Sequence, residues 1–339
     1  MSNQQLEAIF IVGNSRSGTT LMSKILDKHP AIFAFHELHF YERLWTPESG
    51  KKIFTSDDAF HLGAQLLSIQ RKRKRKSQFA ATYSEEAKEM FRDTGDSSLN
   101  SPAVYRFFLQ YETGKQGKRI ACEQTPRNVF YIQEILDQFA HVRIINMIRD
   151  PRDVLLSQKN KWKGKEVPFK ERLRRWANYH PFLLSKMWNG AQKAAAKFAD
   201  NSSVMTVRFE DLLTEPQTTV RNICHFLGIE YDSAMLAVSA SLSPSREKEE
   251  LAASQAGIST KPIGRWMKRL AKMDVYWCES INGEAMKRYG YKLSGAHPFL
   301  FEKLLSLVAM PIKALLALVL NIDNTRNLFA SVKRRFLQN

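Results

Sequence analysis

Residues 9–30 read IFIVGNSRSGTTLMSKILDKHP, an apolar run followed by a glycine-rich turn and then by apolar residues at helical spacing. This order predicts a buried strand, a loop, and a helix that ends at the final HP. Gly13 and Gly18 have the spacing of a nucleoside triphosphate loop, but Thr19 stands where such a loop has its lysine. The loop therefore needs a different cation.

The junction between the predicted strand and helix is suited to binding an anion. Several backbone N–H groups point at one spot there, and the helix dipole adds partial positive charge. Arg16 supplies a cation from within the loop, while Thr19 and Thr20 add hydroxyl donors. A tight turn that needs its glycines only for backbone geometry is the alternative interpretation.

The rest of the chain repeats this alternation. Apolar runs predict further strands at 119–122, 143–148 and 204–209. Three helix starts are predicted where proline follows a polar residue, at Thr125-Pro126, Asp150-Pro151 and Glu215-Pro216. The pattern predicts an α/β protein of P-loop-like three-layer architecture, with a central parallel sheet flanked by helices and a helical C-terminal appendage.

The net charge and the cysteine content limit the kinds of partner and the setting that the protein can have. The formal net charge of +17 favours an anionic partner, such as a nucleotide, an acidic glycan, nucleic acid or a lipid head group. No finger, helix-turn-helix or aromatic RNA motif is present, so nucleic acid is not expected. Three widely separated cysteines favour neither a disulfide framework nor a C-x-x-C metal site, and the first residues lack a signal-peptide pattern. A cytoplasmic setting is therefore predicted.

A second motif, RIINMIRDPRDVLLSQKNKW, occupies residues 143–162. Arg149 lies at the carboxyl end of its predicted strand, and Ser157 lies about two turns into the following helix. Ligands of open α/β sheets bind outside the carboxyl ends of the strands, so these two residues are expected to reach the nucleotide of the first loop. Taken alone, the spacing is also typical of an ordinary capped helix.

GNSRSGTTLMSKILDKHP resembles the 5′-phosphosulfate loop of the sulfotransferases, and RDPRDVLLS resembles their 3′-phosphate motif. VRFEDLLTEPQTTVRNICHFLGI and IGRWMKRL are similar to later segments of the carbohydrate and tyrosylprotein branches, so the resemblance covers roughly residues 8–290. It implies 3′-phosphoadenosine 5′-phosphosulfate (PAPS) as sulfuryl donor, 3′,5′-ADP (PAP) as product, and no metal. The donor contacts that it implies are Arg16, Ser17, Gly18, Thr19, Thr20, Leu21, Arg149, Ser157, Thr260, Lys261, Gly264 and Arg265.

The same resemblance implies the catalytic groups. Glu37, in FAFHELHF, aligns with the catalytic glutamate of the tyrosylprotein branch. Arg16 and the loop N–H groups from Ser17 to Leu21 would stabilise charge on the departing phosphate. His36 is the second candidate for the base, and a simple ion pair with an arginine is the structural alternative for Glu37. The HELH sequence departs from the H-E-x-x-H of a zinc helix, so no metal is expected there.

Three further features depart from the family, have two interpretations, or carry no assigned chemistry. Gln124 stands where many relatives have lysine in E-K-T-P. Either Arg127 or another cation of the basic surplus substitutes for that charge, or the protein is slow, specialised or inactive. Trp266 either closes over the nucleotide or belongs to the core. The segment RFEDLL at 208–213 is predicted to be a strand end and a turn with a buried salt link.

The predicted organisation is a sulfotransferase domain at 1–295 and an apolar, basic helical tail at 296–339. The domain contains a basic helical or loop insertion at about 48–118, with RKRKRK at 71–76. The tail is nearly uncharged from 304 to 320 and contains Pro311. A pair of helices lying on an anionic membrane is the preferred interpretation, ahead of a packed or oligomer-forming helix and of a true span.

The preferred interpretation predicts a protein at the inner face of the membrane that sulfates a hydroxyl of a carbohydrate, lipid or glycolipid. Three alternatives stay open at this point. They are a tyrosylprotein sulfotransferase, a nucleotide-dependent kinase or hydrolase, and a non-catalytic, membrane-associated nucleotide-binding protein.

Overall fold

The computed structural model describes residues 7–72, 81–92, 99–160, 168–238 and 258–321. Five parallel strands form its sheet, in the order β2-β3-β1-β4-β5. They are β1 Ala8–Gly13, β2 Ile32–Ala34, β3 Ile120–Gln124, β4 Val142–Ile148 and β5 Val204–Arg208. The predicted α/β class is confirmed, and β2 is a strand that the sequence did not predict.

The sheet is covered on both faces, which explains the unbroken apolar run of β1. Phe10 contacts one buried cluster, whereas Ile9 and Ile11 contact the other. Successive side chains of a strand point to opposite faces, so a central strand needs apolar residues at every position. The three layers follow from this double coverage.

Six helices precede β3 in the described residues: α1 Thr19–Asp27, α2 Phe40–Arg43, α3 Pro47–Lys51, α4 Ser56–Lys72, α5 Ser84–Met90 and α6 Ser101–Lys115. The described part of the predicted insertion is therefore helical. Arg71 of α4 pairs with Glu86 of α5 and Glu112 of α6, so the first residue of RKRKRK holds three helices together. Residues 73–76 of that run lie outside the described residues.

The described helices after β3 are α7 Ile132–Gln138, α8 Pro151–Lys159, α9 Phe169–Ala177, α10 Pro181–Ala196, α11 Phe209–Thr214, α12 Pro216–Leu227, α13 Trp266–Arg269, α14 Lys272–Arg288 and α15 Leu300–Asn321. The side chain of Asp150 caps α8 by accepting from the Arg152 N–H, as predicted. A helix also starts at Pro126 directly after Thr125, as predicted, but the Thr125 side chain does not cap it. Pro126 opens a 3₁₀ helix, and the Thr125 hydroxyl donates to Glu123 instead.

The described part of the tail, up to residue 321, contains one helix, α15, that continues through Pro311. The predicted break at Pro311, which would have divided this segment into a pair of helices, is therefore wrong, and the rest of the predicted tail lies outside the described residues. Trp277 Nε1 donates to Ser306 Oγ at 2.9 Å, and Lys313 Nζ donates to the Tyr179 carbonyl at 3.3 Å, so polar side chains of α15 contact the rest of the protein. None of the helices in the described ranges combines the length and hydropathy that crossing a membrane requires. The domain boundary near residue 295 stays a prediction.

Candidate active site

The loop between β1 and α1 depends on its two glycines. A Cβ on Gly13 would lie 2.3 Å from the Met147 carbonyl oxygen, and a Cβ on Gly18 would lie 2.2 Å from Cδ2 of Phe209. Both residues also have positive φ angles, of 140° and 93°. Arg16 has a φ of 76°, and left-handed backbone at a residue other than glycine is concentrated at functional sites. The loop is therefore held in one strained shape.

This loop offers donors to an anion at the start of α1. The first intrahelical bond runs from the Met22 N–H to the Gly18 carbonyl, so the amides of Thr19, Thr20 and Leu21 have no acceptor within the helix. The Ser17 hydroxyl is buried, with no hydrogen-bond partner in the described part of the chain. The Ser17 N–H was predicted to face the anion as well, but it donates to the Asn14 carbonyl within the turn. The available donors fit a phosphate or sulfate group.

The structure brings the two predicted motifs into contact. Arg16 Nε donates to Ser157 Oγ at 2.8 Å, and Arg149 Nη1 donates to the Arg16 carbonyl at 3.2 Å. Arg149 follows β4 directly, and Ser157 lies in α8. Burial lowers the pKa of Arg149, and Asp153 and Glu210 oppose that effect. Two arginines and a serine from distant segments therefore meet at one corner of the sheet.

The predicted third group of donor contacts lies beside Arg149. Arg149 Nη2 donates to the Pro262 carbonyl at 3.0 Å. Asp153 of α8 accepts hydrogen bonds from the Gly264 N–H at 2.7 Å and the Trp266 N–H at 3.0 Å. Burial raises the pKa of Asp153 to about 6. These bonds fix the turn at 260–265, where Thr260, Lys261 and Arg265 are exposed.

Trp266 is half-buried, with the Arg152 guanidinium 3.8 Å from the centroid of its ring. The core interpretation of this tryptophan is therefore wrong. Its closure over a nucleotide stays a prediction. The stacked pair adds a second attachment between α8 and the turn at 260–265.

The sequence analysis did not predict that Phe209 and Glu210 contact the phosphate loop and the residues around Arg149. The Phe209 ring lies against Gly18, and the Arg149 guanidinium is 4.6 Å from the centroid of the same ring. Glu210 accepts from the Asp150 N–H at 2.9 Å and from the Tyr291 hydroxyl at 2.7 Å. A large apolar residue directly after a strand, at the ligand-binding edge of the sheet, was the available signal.

The salt link predicted in this segment is not buried. Arg208 and Asp211 pair at 3.3 Å, but both side chains are substantially exposed. Such a pair contributes little to stability. The buried carboxylate here is Glu210, which is held by a backbone amide and a tyrosine.

Glu37 lies in the segment between β2 and α2, with 44% of its side chain exposed. The backbone on both sides of it is attached to the end of β3. The Leu38 N–H donates to Glu123 Oε1 at 3.3 Å, and the His39 N–H donates to Thr125 Oγ1 at 3.3 Å. Burial lowers the pKa of Arg16, and Glu37 opposes this shift through its charge. The candidate base therefore acts electrostatically on the cation of the loop.

His36 is exposed next to Glu37, and its N–H donates to Gln70 Oε1 at 3.1 Å. Glu123 lies beneath this segment and is buried. Burial raises the pKa of Glu123 to about 7, although Thr125, the Leu38 N–H and Asn128 all donate hydrogen bonds to it. The buried Glu123 thus holds the backbone next to the candidate base, through its hydrogen bond from the Leu38 N–H.

Gln124 contacts the phosphate loop. Its Nε2 donates to Thr19 Oγ1 at 3.1 Å. Arg127, the predicted substitute for the missing lysine, pairs with Glu42. In the described ranges, no group of three or more His, Cys, Asp or Glu side chains is arranged to hold a metal ion.

Comparisons with known proteins agree with this architecture. A family model described as the sulfotransferase family matches residues 8–233. The chain belongs to the sulfotransferase family and is a sulfotransferase, which confirms the resemblance seen in the sequence. Among solved structures, the sulfotransferase domain from the curacin biosynthetic pathway has a TM-score of 0.50 at 18% identity, covering 85% of this chain and 99% of that chain. That likeness shows the shared fold.

The curated relatives are longer than this chain, which matches only part of each of them. The chain is 24% identical over 306 residues to Protein-tyrosine sulfotransferase 1 of Danio rerio, covering 86% of this chain and 68% of that protein. It is 23% identical over 241 residues to Protein-tyrosine sulfotransferase A of Caenorhabditis elegans, covering 69% of this chain and 53% of that protein. The chain thus spans between about half and two thirds of these relatives.

Proposed function

We propose that the chain transfers a sulfuryl group from PAPS to a hydroxyl acceptor. The observation that carries the proposal is the contact of Arg16 with Ser157 and Arg149, which joins the 5′-phosphosulfate loop to the 3′-phosphate motif. A phosphate at the 3′ position distinguishes this donor from ATP. Arg149 and Ser157 bind that phosphate, and the turn at 260–265 contributes Thr260, Lys261 and Arg265.

The reaction is an in-line displacement at sulfur. The acceptor oxygen forms a bond to sulfur while the bond from sulfur to the 5′-phosphate oxygen breaks, and Glu37 accepts the hydroxyl proton. Arg16 and the amides of Thr19, Thr20 and Leu21 stabilise the charge that develops on the departing phosphate. PAP is the nucleotide product. Gln124, through its bond to Thr19, holds the loop without adding charge.

The donor assignment predicts a selective thermal shift. PAP at about 100 times its dissociation constant should stabilise the protein by about 2.7 kcal/mol, and ADP and ATP should do so much less. Arg149→Ala should remove the response to PAP because it removes the cation that faces the 3′-phosphate. Differential scanning fluorimetry measures this.

Arg221→Ala is the matched control, because that arginine also lies on an aromatic ring, Tyr231, at 4.1 Å. It should leave the PAP response intact. Stabilisation by ATP without stabilisation by PAP would overturn the donor assignment and support a kinase.

The acceptor in our proposal is a carbohydrate, lipid or glycolipid presented at an anionic membrane surface, at its cytoplasmic face. Support comes from α15, where Ser306 and Lys313 contact the rest of the protein while the large apolar residues are exposed. These are Leu300, Phe301, Leu304, Leu305, Leu307, Val308, Ile312, Leu315, Leu316 and Val319. This is the reverse of an ordinary surface helix. The basic residues Arg326, Lys333, Arg334 and Arg335 follow it in the sequence and lie outside the described residues.

The membrane assignment predicts binding to vesicles that contain phosphatidylserine, with weaker binding to pure phosphatidylcholine and at high salt. Leu304→Gln and Leu315→Gln should each weaken binding by roughly tenfold to a hundredfold, because burying one leucine is worth about 1.5–3 kcal/mol. Co-sedimentation with vesicles measures the effect. Ile53→Gln is the control, since Ile53 is equally exposed elsewhere.

Equal binding by all three variants would contradict the membrane assignment. Dissociation of a dimer by the two α15 variants, seen by sedimentation velocity, would instead support the oligomer-forming helix.

A tyrosyl side chain is the second candidate acceptor, and the names of the curated relatives support it. Labelled transfer to octyl galactoside and to N-acetyltyrosinamide distinguishes the two candidates. Sulfated metabolites compared between cells with and without the protein would then identify the natural acceptor.

A further inference from the structure

The helix α9, Phe169–Ala177, has an apolar face that is only partly covered. Phe169, Leu173 and Trp176 recur at spacings of four and three residues, so they lie on one side of the helix. Phe169 is 70% exposed and Trp176 is 38% exposed. An ordinary surface helix buries such a face against the core. Exposed apolar surface of this kind marks a site of interaction.

The cations of α9 fall into two pairs. Arg174 and Arg175 both bind the carboxylate of Glu171, each at 2.7 Å. Lys170 and Arg172 are exposed and have no salt-bridge partner in the part of the chain that the structure describes. Because an α-helix turns by about 100° per residue, these two cations lie on opposite sides of the apolar face. The unpaired charges therefore border the exposed aromatic residues.

Arg172 also covers part of the apolar face. Its guanidinium is 5.7 Å from the centroid of the Phe169 ring. Long basic side chains that lie along apolar surface and keep their charge at its edge are typical of helices at a membrane–water interface. Tryptophan is enriched at the same level of a bilayer, which fits the position of Trp176.

The helix α9 packs against α15, so their exposed apolar residues lie side by side. Lys313 Nζ of α15 is 4.4 Å from the centroid of the Trp176 ring and donates to the carbonyl of Tyr179, just after α9. Leu315 and Leu316 follow in α15 and are exposed. The two helices thus form one apolar face, with unpaired cations of α9 at its edge.

This face is attached to the helix that carries Ser157, a predicted donor contact. The Tyr179 hydroxyl donates to Asp274 Oδ2 at 2.9 Å, and Lys159 Nζ donates to the same oxygen at 2.7 Å. Lys159 is the last residue of α8, which also contains Ser157. A surface bound by α9 is therefore held near the end of α8.

We propose that α9 binds the anionic head groups of a lipid bilayer, an inference that rests on the membrane assignment of α15 in the proposed function. Lys170 and Arg172 contact the charged oxygens of the head groups, while Phe169 and Trp176 enter the boundary with the acyl chains. Cations on both sides of the aromatic residues match a surface that is negative throughout, as an anionic leaflet is. α15 supplies most of the apolar contact, and α9 supplies the preference for negative charge.

The first test removes both unpaired cations, in Lys170→Gln combined with Arg172→Gln. Each basic residue near an anionic leaflet strengthens binding about fivefold, so this double variant should bind vesicles of phosphatidylserine and phosphatidylcholine about 30-fold more weakly. Its binding to pure phosphatidylcholine should not change. Co-sedimentation at low salt measures both.

Lys193→Gln combined with Lys197→Gln is the matched control, because it removes two exposed lysines at the end of α10. This control should bind both kinds of vesicle as the wild type does. Equal binding of the mixed vesicles by the two double variants would overturn the role of α9.

The second test reads the insertion of α9 through Trp176. Vesicles of phosphatidylserine and phosphatidylcholine with brominated acyl chains quench tryptophans that lie at the acyl boundary. Quenching should be clear in the wild type and largely lost in Trp176→Phe, which keeps an aromatic ring at this position. Quenching of the same size in both proteins would contradict the insertion of α9.

The outcomes distinguish α9 from the membrane assignment on which it rests. If Leu304→Gln and Leu315→Gln weaken vesicle binding but the α9 double variant does not, the inference fails and the membrane assignment stands. Absence of vesicle binding by the wild type overturns both. A lipid-free dimer that dissociates in Phe169→Gln would assign the face to a second copy of the chain and overturn the inference. Stabilisation by PAP, which reports folding and the donor site, should be the same in all of these variants.

Discussion

Sulfuryl transfer by Glu37→Gln is expected to be slower than wild type by about 10² to 10⁴, the usual contribution of a positioned general base. Glutamine keeps the size of the side chain but cannot accept the proton. Glu37 does not contact the predicted 3′-phosphate group, so PAP should stabilise the variant as it does the wild type. The measurement is the rate of PAP formation at saturating PAPS, together with a PAP thermal shift.

Two further variants make this result specific. Glu85→Gln changes an exposed helical glutamate that pairs with Lys88, and its rate should be unchanged. His36→Gln tests the other candidate base. A large loss in His36→Gln with normal transfer in Glu37→Gln would assign the base to His36 and contradict our proposal.

Gly18→Ala is expected to destabilise the protein by about 2–5 kcal/mol, from a positive φ worth about 1–2 and overpacking worth about 1–3. The new methyl group would lie 2.2 Å from the Phe209 ring, which is buried and cannot move freely. Any movement of the ring also displaces Arg149 above it. Gly18→Ala should therefore weaken PAP binding as well as lower the melting temperature of the free protein.

Gly117→Ala separates the two causes. Gly117 has a φ of 66°, but its Cβ would meet nothing within 4 Å, so only the backbone cost of about 1–2 kcal/mol applies. Phe209→Leu, combined with Gly18→Ala, should relieve part of the clash and give a favourable coupling energy in a double-mutant cycle. Equal losses in Gly18→Ala and Gly117→Ala would show that Phe209 does not constrain the loop.

The strand β1 was predictable because it is buried on both faces and its apolar run is continuous. β2 was missed because three residues are too few to show a pattern. The cap at Thr125 was mispredicted because its hydroxyl is recruited by the buried Glu123, a tertiary contact that local sequence does not show. Pro311 suggested a break, but α15 continues through it.

In the site, the placement of Arg16 beside Ser157 and Arg149 followed from the rule that ligands bind at the carboxyl ends of parallel strands. The contacts of His39 could not be predicted in the same way. They depend on a left-handed backbone and on the hydrogen bond from the His39 N–H to Thr125, which is distant in sequence. Sequence reasoning considered this histidine only as a metal ligand.

Arg149 illustrates pre-organisation. A guanidinium group has five N–H donors, and two of those of Arg149 are engaged by the carbonyls of Arg16 and Pro262, which leaves up to three for phosphate oxygens. Ordering a long, flexible side chain on binding commonly costs about 0.5–1.5 kcal/mol. Here that ordering is complete before any nucleotide arrives, so the arginine can select for a 3′-phosphate at little entropic cost.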